Sequence, residues 1–275
     1  MSDDHVHLVL AEGHEDDTRW AYGTGFEDPL HGVDTTVPEG VDSGELAAVC
    51  VALADDALVL AQRLAEWTTR APELEEEVAL ANIGLDLLGQ ARLLYSRAGQ
   101  TDGTGRGEDA YAYFRDAGEF RNVRLAELPG GDFAFSIVRL LVLSSWRLAH
   151  FERLTDCDDP VLAAIAAKGV KELTYHRQYA AEWVVRFGDG TAESHRRIRD
   201  ALDQVAPYLD ELFTPCDVRD EVGAVLEQVT AAGGVALPVC RPLPGSGRAG
   251  EHTEHLAPLL EELQSVARAH PGATW

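Results

Sequence analysis

Hydrophobic residues recur every three or four positions along most of this chain, which is the spacing of helices with one buried face. The first such stripe begins at Ser43, runs past Trp67 until Pro72, and contains Asp56 among its apolar positions. A second helix is expected from Glu73 to Gly99, because the acidic run Glu73–Glu77 suits the positive end of a helix dipole. Its two internal glycines, at positions 84 and 89, predict close packing of another backbone.

A long connection over residues 100–131 separates these two helices from the next pair. The third helix is expected over Phe133–Leu154, which is apolar on nearly all sides and therefore central. The fourth begins at Pro160 and ends near Gly188. A crossover of this length would let the second and third helices run in the same direction, as they do in ferritin-like bundles.

Further helical patterns occupy residues 191–213, 217–231 and a last segment that starts at Glu251. No strand pattern or internal repeat stands out. The sequence therefore predicts an all-α fold: a ferritin-like four-helix bundle with a long crossover and additional C-terminal helices. Residues 1–43 lack a sustained period and are expected to form an acidic, loosely ordered N-terminal arm, while residues 44–275 form a single helical domain.

The net charge of −24, from 47 acidic and 23 basic residues, argues against nucleic-acid binding, since phosphates would be repelled. It indicates a halophilic protein, because high salt screens a dense acidic surface. The N-terminus does not look like a signal peptide, and no long uncharged apolar run predicts a membrane span, so a cytoplasmic location is expected. The four cysteines lie too far apart to predict a zinc site or a disulfide framework.

The chemistry of the chain depends on whether the polar residues on these helices bind metal. Di-metal bundles take one Glu from each of two helices and a Glu-x-x-His pair from each of the other two. No Glu in this chain is followed three residues later by His, and the third helix has no acidic residue between Asp132 and Glu152. The fourth helix carries Lys168, Glu172 and His176 at steps of four on its apolar side. The ligand set of a di-metal site is therefore incomplete.

We predict that these positions form a vestigial di-metal site, a polar network without metal, in which Lys168, Arg139 or Arg147 neutralises the acids. No catalytic or cofactor-binding residue is predicted in this chain. The residues expected in the network are Asp56, Asp86, Gln90, Lys168, Glu172, Tyr175 and His176.

Two alternatives remain open at this stage. In the first, Asp56, Asp86, Glu172 and His176 converge on metal in an atypical site of a metal-dependent oxidase or an iron-handling protein. In the second, the chain is a free-standing helical adaptor.

A second cluster of potential ligands opens the last helical segment. Its His residues are three positions apart, and an acid and a His are four apart, so two or three could reach one ion. Acids at this position more often stabilise a helix start through the helix dipole. The cluster consists of Glu251, His252, Glu254 and His255.

Four long strings in the chain resemble one known family, the PaaC family, which forms the C subunit of the bacterial ring 1,2-phenylacetyl-CoA epoxidase (phenylacetate-CoA oxygenase). The resemblance covers roughly Leu53 to Trp275. The strings are LADDALVLAQRLAEW (Leu53–Trp67), ELEEEVALANIGLDLLGQAR (Glu73–Arg92), AIAAKGVKELTYH (Ala164–His176) and EHTEHLAPLLEELQ with the closing PGATW.

The resemblance implies a ferritin-like subunit that is not the catalytic one. In this family it pairs with a related A subunit, which holds a di-iron centre and binds the CoA thioester. The complex uses O2 and electrons from NADPH, delivered by a reductase component, to epoxidise the aromatic ring. This chain would then support the A subunit in phenylacetate catabolism and would carry no cofactor of its own.

Overall fold

In the computed structural model, the described residues are 30–213, 217–239 and 241–273. They contain ten α-helices and no strand. In chain order the helices are α1 (Ser43–Ala65), α2 (Leu74–Thr101), α3 (Glu108–Tyr113), α4 (Arg124–Glu127), α5 (Phe133–Leu154), α6 (Pro160–Asp189), α7 (Ala192–Val205), α8 (Leu209–Leu212), α9 (Arg219–Ala232) and α10 (Leu256–Ala269). Most of the arm predicted over residues 1–43, together with Cys216 and Cys240, lies outside the described residues.

Side-chain caps explain where three of the four long helices begin. The carboxylate of Asp42 accepts hydrogen bonds from two backbone amides in the first turn of α1. Asp132 caps α5 in the same way, and Asp159 caps α6, where Pro160 follows at the first helical position. Each cap accepts hydrogen bonds from backbone N–H groups that would otherwise lack a partner. Its negative charge also lies at the positive end of the helix dipole, where it stabilises the helix.

Contacts between the four long helices give their directions. Asp55, at the middle of α1, meets Tyr95 near the end of α2, whereas Ala61, nearer the end of α1, lies against Gly84 in the first half of α2, so these two helices are antiparallel. Trp67, just after α1, donates to Ser136 in the first turn of α5, and Arg147 further along α5 reaches the carbonyl oxygen of Leu53. Helices α1 and α5 are therefore antiparallel as well. It follows that α2 and α5 run in the same direction, as the long crossover predicted, and the all-α ferritin-like bundle is confirmed.

Helix α5 forms the centre of the bundle. Among the described helices it alone is long and apolar enough to cross a membrane by length and composition, but 94% of its apolar window is buried inside the protein. Burial of this kind is typical of a core helix in a water-exposed bundle. The prediction of a central third helix is confirmed.

Several predicted boundaries differ from the structure. Helix α1 ends at Ala65 rather than near Pro72, and the connection over residues 102–132 is not featureless but contains α3 and α4. The helix predicted over residues 191–213 breaks after Val205, because Pro207 cannot continue the hydrogen-bond ladder. The last helix begins at Leu256 instead of Glu251.

The two glycines of α2 also behave differently from the prediction. A Cβ atom at Gly84 would lie 3.7 Å from the carbonyl oxygen of Ala61 on α1, which is an ordinary van der Waals contact. A Cβ atom at Gly89 would meet nothing within 4 Å. Among the described residues, no backbone packs closely against Gly89, contrary to the prediction.

Candidate functional site

Asp56 lies in the core on α1, with three partners from other parts of the chain. Its carboxylate accepts hydrogen bonds from the backbone amide of Val123 at 2.8 Å and from Nη2 of Arg248 at 2.6 Å. Arg147 of α5 lies further away, with Nη1 3.8 Å from Oδ2. Burial raises the pKa of the Asp56 carboxyl, while the charges of Arg248 and Arg147 oppose that rise.

The Arg147 side chain occupies the middle of the bundle. Its Nη1 donates to the carbonyl oxygen of Leu53 at 2.9 Å, and its Nε donates to Oε1 of Gln90 at 3.0 Å. Its Nη2 is buried without a hydrogen-bond partner among the described residues. Burial lowers the pKa of this guanidinium to about 10, and the Asp56 carboxylate partly opposes that shift. Arg147 therefore remains charged at neutral pH.

Gln90 connects this cation to α6. Its Nε2 donates to Oε2 of Glu172 at 2.9 Å, and the ammonium group of Lys168, one turn earlier on α6, pairs with Oε1 of the same carboxylate. A continuous polar path thus joins one side chain from each long helix, with two from α6. We call it the central network, and its members are Asp56, Arg147, Gln90, Glu172 and Lys168.

Asp86 and His176 form a separate pair one helical turn away. His176 is fully buried, and its Nε2 lies 3.0 Å from Oδ2 of the partly exposed Asp86. The other ring nitrogen, Nδ1, has no hydrogen-bond partner among the described residues. Two members of the predicted set thus contact each other, next to the central network.

Two residues named from the sequence lie elsewhere. Tyr175 is 53% exposed and points away from the central network, because one residue on a helix turns the side chain by about 100° from its buried neighbour His176.

Arg139 donates to the carbonyl oxygen of Leu128 and lies near Arg63 rather than near the acids. Burial lowers the pKa of Arg139 to about 9. Of the three cations considered as neutralising groups, Lys168 and Arg147 contact the predicted acids and Arg139 does not.

The arrangement does not fit a di-metal centre of the kind that ferritin-like bundles hold. Carboxylates that ligate metal need free lone pairs, but Asp56 and Glu172 already accept from cationic and amide donors. Arg147 places a buried positive charge between them, which would repel a metal cation. In the described part of the chain, no three His, Cys, Asp or Glu side chains are grouped so that they could hold a metal ion.

A second buried network was missed at the sequence level. Asp55 is fully buried beside Asp56 and accepts from the hydroxyl of Tyr95, from Arg115 and from the backbone amide of Arg121 at 2.7 Å. Two adjacent acids inside the apolar stripe of α1 were the available signal, because buried carboxylates need partners. The partners themselves lie 40 to 66 residues away, and no spacing rule identifies them.

The Glu251–His255 cluster does not gather around one point. These residues precede α10, so the prediction that they form its first turn is wrong. His252 inserts towards Glu127 of α4, with Nδ1 2.6 Å from Oε1, and its Nε2 lies 2.9 Å from the carbonyl oxygen of Phe120. Burial lowers the pKa of His252, but the hydrogen bond and charge of Glu127 more than offset this and raise it. The segment fastens the C-terminal part of the chain to the crossover.

Fold and site together define a class: a ferritin-like bundle in which ion pairs and amide bonds occupy the centre. Comparison with known proteins narrows that class. The family described as phenylacetic acid catabolic protein matches residues 33–275. The C subunit of the 1,2-phenylacetyl-CoA epoxidase of Escherichia coli (strain K12) is 39% identical over 251 residues, covering 84% of this chain and 99% of that protein. The chain belongs to the phenylacetic acid catabolic protein family.

Proposed function

We propose that this chain is a non-catalytic scaffold subunit of a multicomponent monooxygenase that epoxidises the ring of phenylacetyl-CoA. The relative in Escherichia coli is named as one subunit of such an epoxidase, which supports membership in a complex of this kind. The partner of this chain is a related catalytic subunit that carries the di-iron centre. Reductase components deliver electrons from NADPH to that centre, and the complex works in the cytoplasm.

The observation that carries the non-catalytic role is the position of Arg147. A guanidinium buried between Asp56 and Glu172 supplies the positive charge that a metal ion would otherwise supply to these carboxylates. Lys168 and Gln90 complete the shell of Glu172. Because the charges are already balanced by side chains, the bundle is stable without metal, and its four long helices are held in register by the central network.

Reconstitution with the catalytic di-iron subunit and the reductase tests the proposal. The readout is NADPH oxidation that depends on phenylacetyl-CoA, together with the epoxide formed. We expect low activity from the di-iron subunit without this chain. The variant Glu172→Gln removes a carboxylate that any metal in this bundle would need but conserves its shape, so activity should stay within about twofold of the wild-type complex.

Loss of activity in Glu172→Gln, with the complex still assembled, would contradict the scaffold role. It would favour the other candidate, a metal-dependent oxidase with an atypical site in this chain. Full activity of the di-iron subunit without this chain would contradict any need for a scaffold.

A further inference from the structure

Helix α2 carries a line of apolar residues that the described chain leaves uncovered. Leu74 is 71% exposed and Leu85 is 64% exposed, and Val78 and Leu88 on the same helix are exposed as well. Single exposed apolar residues are ordinary on protein surfaces, but a contiguous row of them marks an interaction site.

The spacing of this row is the spacing of a helix–helix seam. Residues 74, 78, 81, 85, 88 and 92 alternate steps of four and three, which is the a/d repeat of a coiled coil. The first five are Leu74, Val78, Ala81, Leu85 and Leu88, which we call the α2 seam. The seam extends for about 21 Å along the helix, since each residue adds about 1.5 Å.

The surroundings of the α2 seam leave room for a second helix. Gly89 flanks it, and a Cβ atom there would meet nothing within 4 Å, so another backbone can approach closely. On the neighbouring helix α6, Tyr175 offers a further exposed ring next in sequence to His176, whose side chain contacts α2 at Asp86. Gly89, which no described residue packs against, thus lies beside the α2 seam, and Tyr175 adds exposed apolar surface on the neighbouring helix.

The charges beside the α2 seam indicate what kind of helix could dock on it. The N-terminal end of the seam is flanked by Glu73, Glu75 and Glu77, which form no ion pair with the described residues. A second copy of this chain is disfavoured, because each copy carries a net charge of −24. A helix with apolar residues at a/d spacing and basic residues beside the three glutamates would satisfy both surfaces.

We propose that the α2 seam is the surface on which a helix of the catalytic di-iron subunit docks, with its basic residues against Glu73, Glu75 and Glu77. This inference rests on the proposed function, since it assigns the place where the partner binds. The partner helix packs its apolar residues between those of the seam, as knobs into holes.

The test compares two variants with matched chemistry. Leu85→Glu puts a charge in the middle of the seam, and Val266→Glu puts the same residue at a 55% exposed position on α10. Affinity for the purified di-iron subunit is measured by isothermal titration calorimetry, with circular dichroism and thermal unfolding as checks on the fold. We expect Leu85→Glu to weaken binding by at least about thirtyfold, as at a central interface residue, and Val266→Glu to leave it unchanged.

A third variant tests the charge complementarity. Replacing Glu73, Glu75 and Glu77 together by Gln should slow association and reduce its dependence on salt, while the dissociation rate changes little.

Unchanged affinity in Leu85→Glu, with wild-type binding intact, would overturn the inference but leave the scaffold role standing. Failure of the wild-type chain to bind the di-iron subunit would overturn both. A homodimer of the isolated chain that Leu85→Glu dissociates in sedimentation experiments would assign the seam to a second copy and also overturn the inference.

Discussion

At the scale of single residues, the core of this protein is organised by two adjacent acids with different partners. Asp55 is held by Tyr95 and Arg115, and Asp56 by Arg248 and the backbone of Val123. Both sets of partners come from distant segments of the chain. The two carboxylates therefore fix the crossover and the segment before α10 onto α1, since a buried charge without its partner is costly.

Removing the Asp56 carboxylate is expected to unfold the protein more easily. Asp56→Ala leaves Arg248 and the buried Arg147 without their nearest acid, which should reduce the free energy of unfolding by about 3 to 5 kcal/mol. Urea denaturation followed by circular dichroism gives the value. The control is Asp210→Ala, which breaks a half-exposed ion pair with Arg219 and should cost less than about 1 kcal/mol. Equal effects of the two substitutions would show that burial of the pair contributes nothing.

The residues of the central network could be predicted from the sequence only in part. Positions on apolar stripes identified Asp56, Gln90 and Glu172, because a polar residue at a buried position needs a partner. Arg248 could not be found in this way, since it lies 192 residues from Asp56 in a segment without periodicity. Tyr175 was wrongly included, because it stands three residues after Glu172, where a Glu-x-x-His motif would have its His, but its side chain is exposed on α6.

At the scale of helices, neighbouring helices approach each other closely at some glycines, and the sequence alone does not show which ones. A Cβ atom at Gly169 of α6 would lie 2.6 Å from the ring of Phe151 on α5, whereas one at Gly89 of α2 would lie in open space. The sequence singled out Gly84 and Gly89, but tight contacts occur instead at Gly169 and at other glycines such as Gly99 and Gly188. Helix propensity is the same for Gly89 and Gly169, so only the side chain that packs against Gly169 distinguishes them.

Alanine at these two glycines should change stability in opposite directions. In Gly169→Ala the new methyl group overlaps Phe151, and we expect a loss of about 1 to 3 kcal/mol in spite of the better helix propensity. In Gly89→Ala only the propensity changes, so a gain of about 0.5 to 1 kcal/mol is expected in the isolated chain. Thermal unfolding of both variants measures this, and a stabilised Gly169→Ala would contradict the packing of α5 against α6 described above.

At the scale of the whole molecule, hydrophobic periodicity predicted the four long helices, because amphipathic helices of this length can bury their faces in few ways. The length of the crossover predicted that α2 and α5 run in the same direction. The helices of the crossover itself were not predicted, since α3 and α4 are too short to show a period. The halophilic character inferred from the net charge of −24 stays a prediction.

Metal content is the measurement that tests the central claim most directly. The chain is expressed with iron and manganese in the medium, purified alone, and analysed for metal per protein by mass spectrometry. Because Arg147 and Lys168 already neutralise the acids, less than about a tenth of an equivalent is expected, in the wild type and in Glu172→Ala alike. One to two equivalents in the wild type, lost in Glu172→Ala, would contradict the account and place the chemistry in this chain.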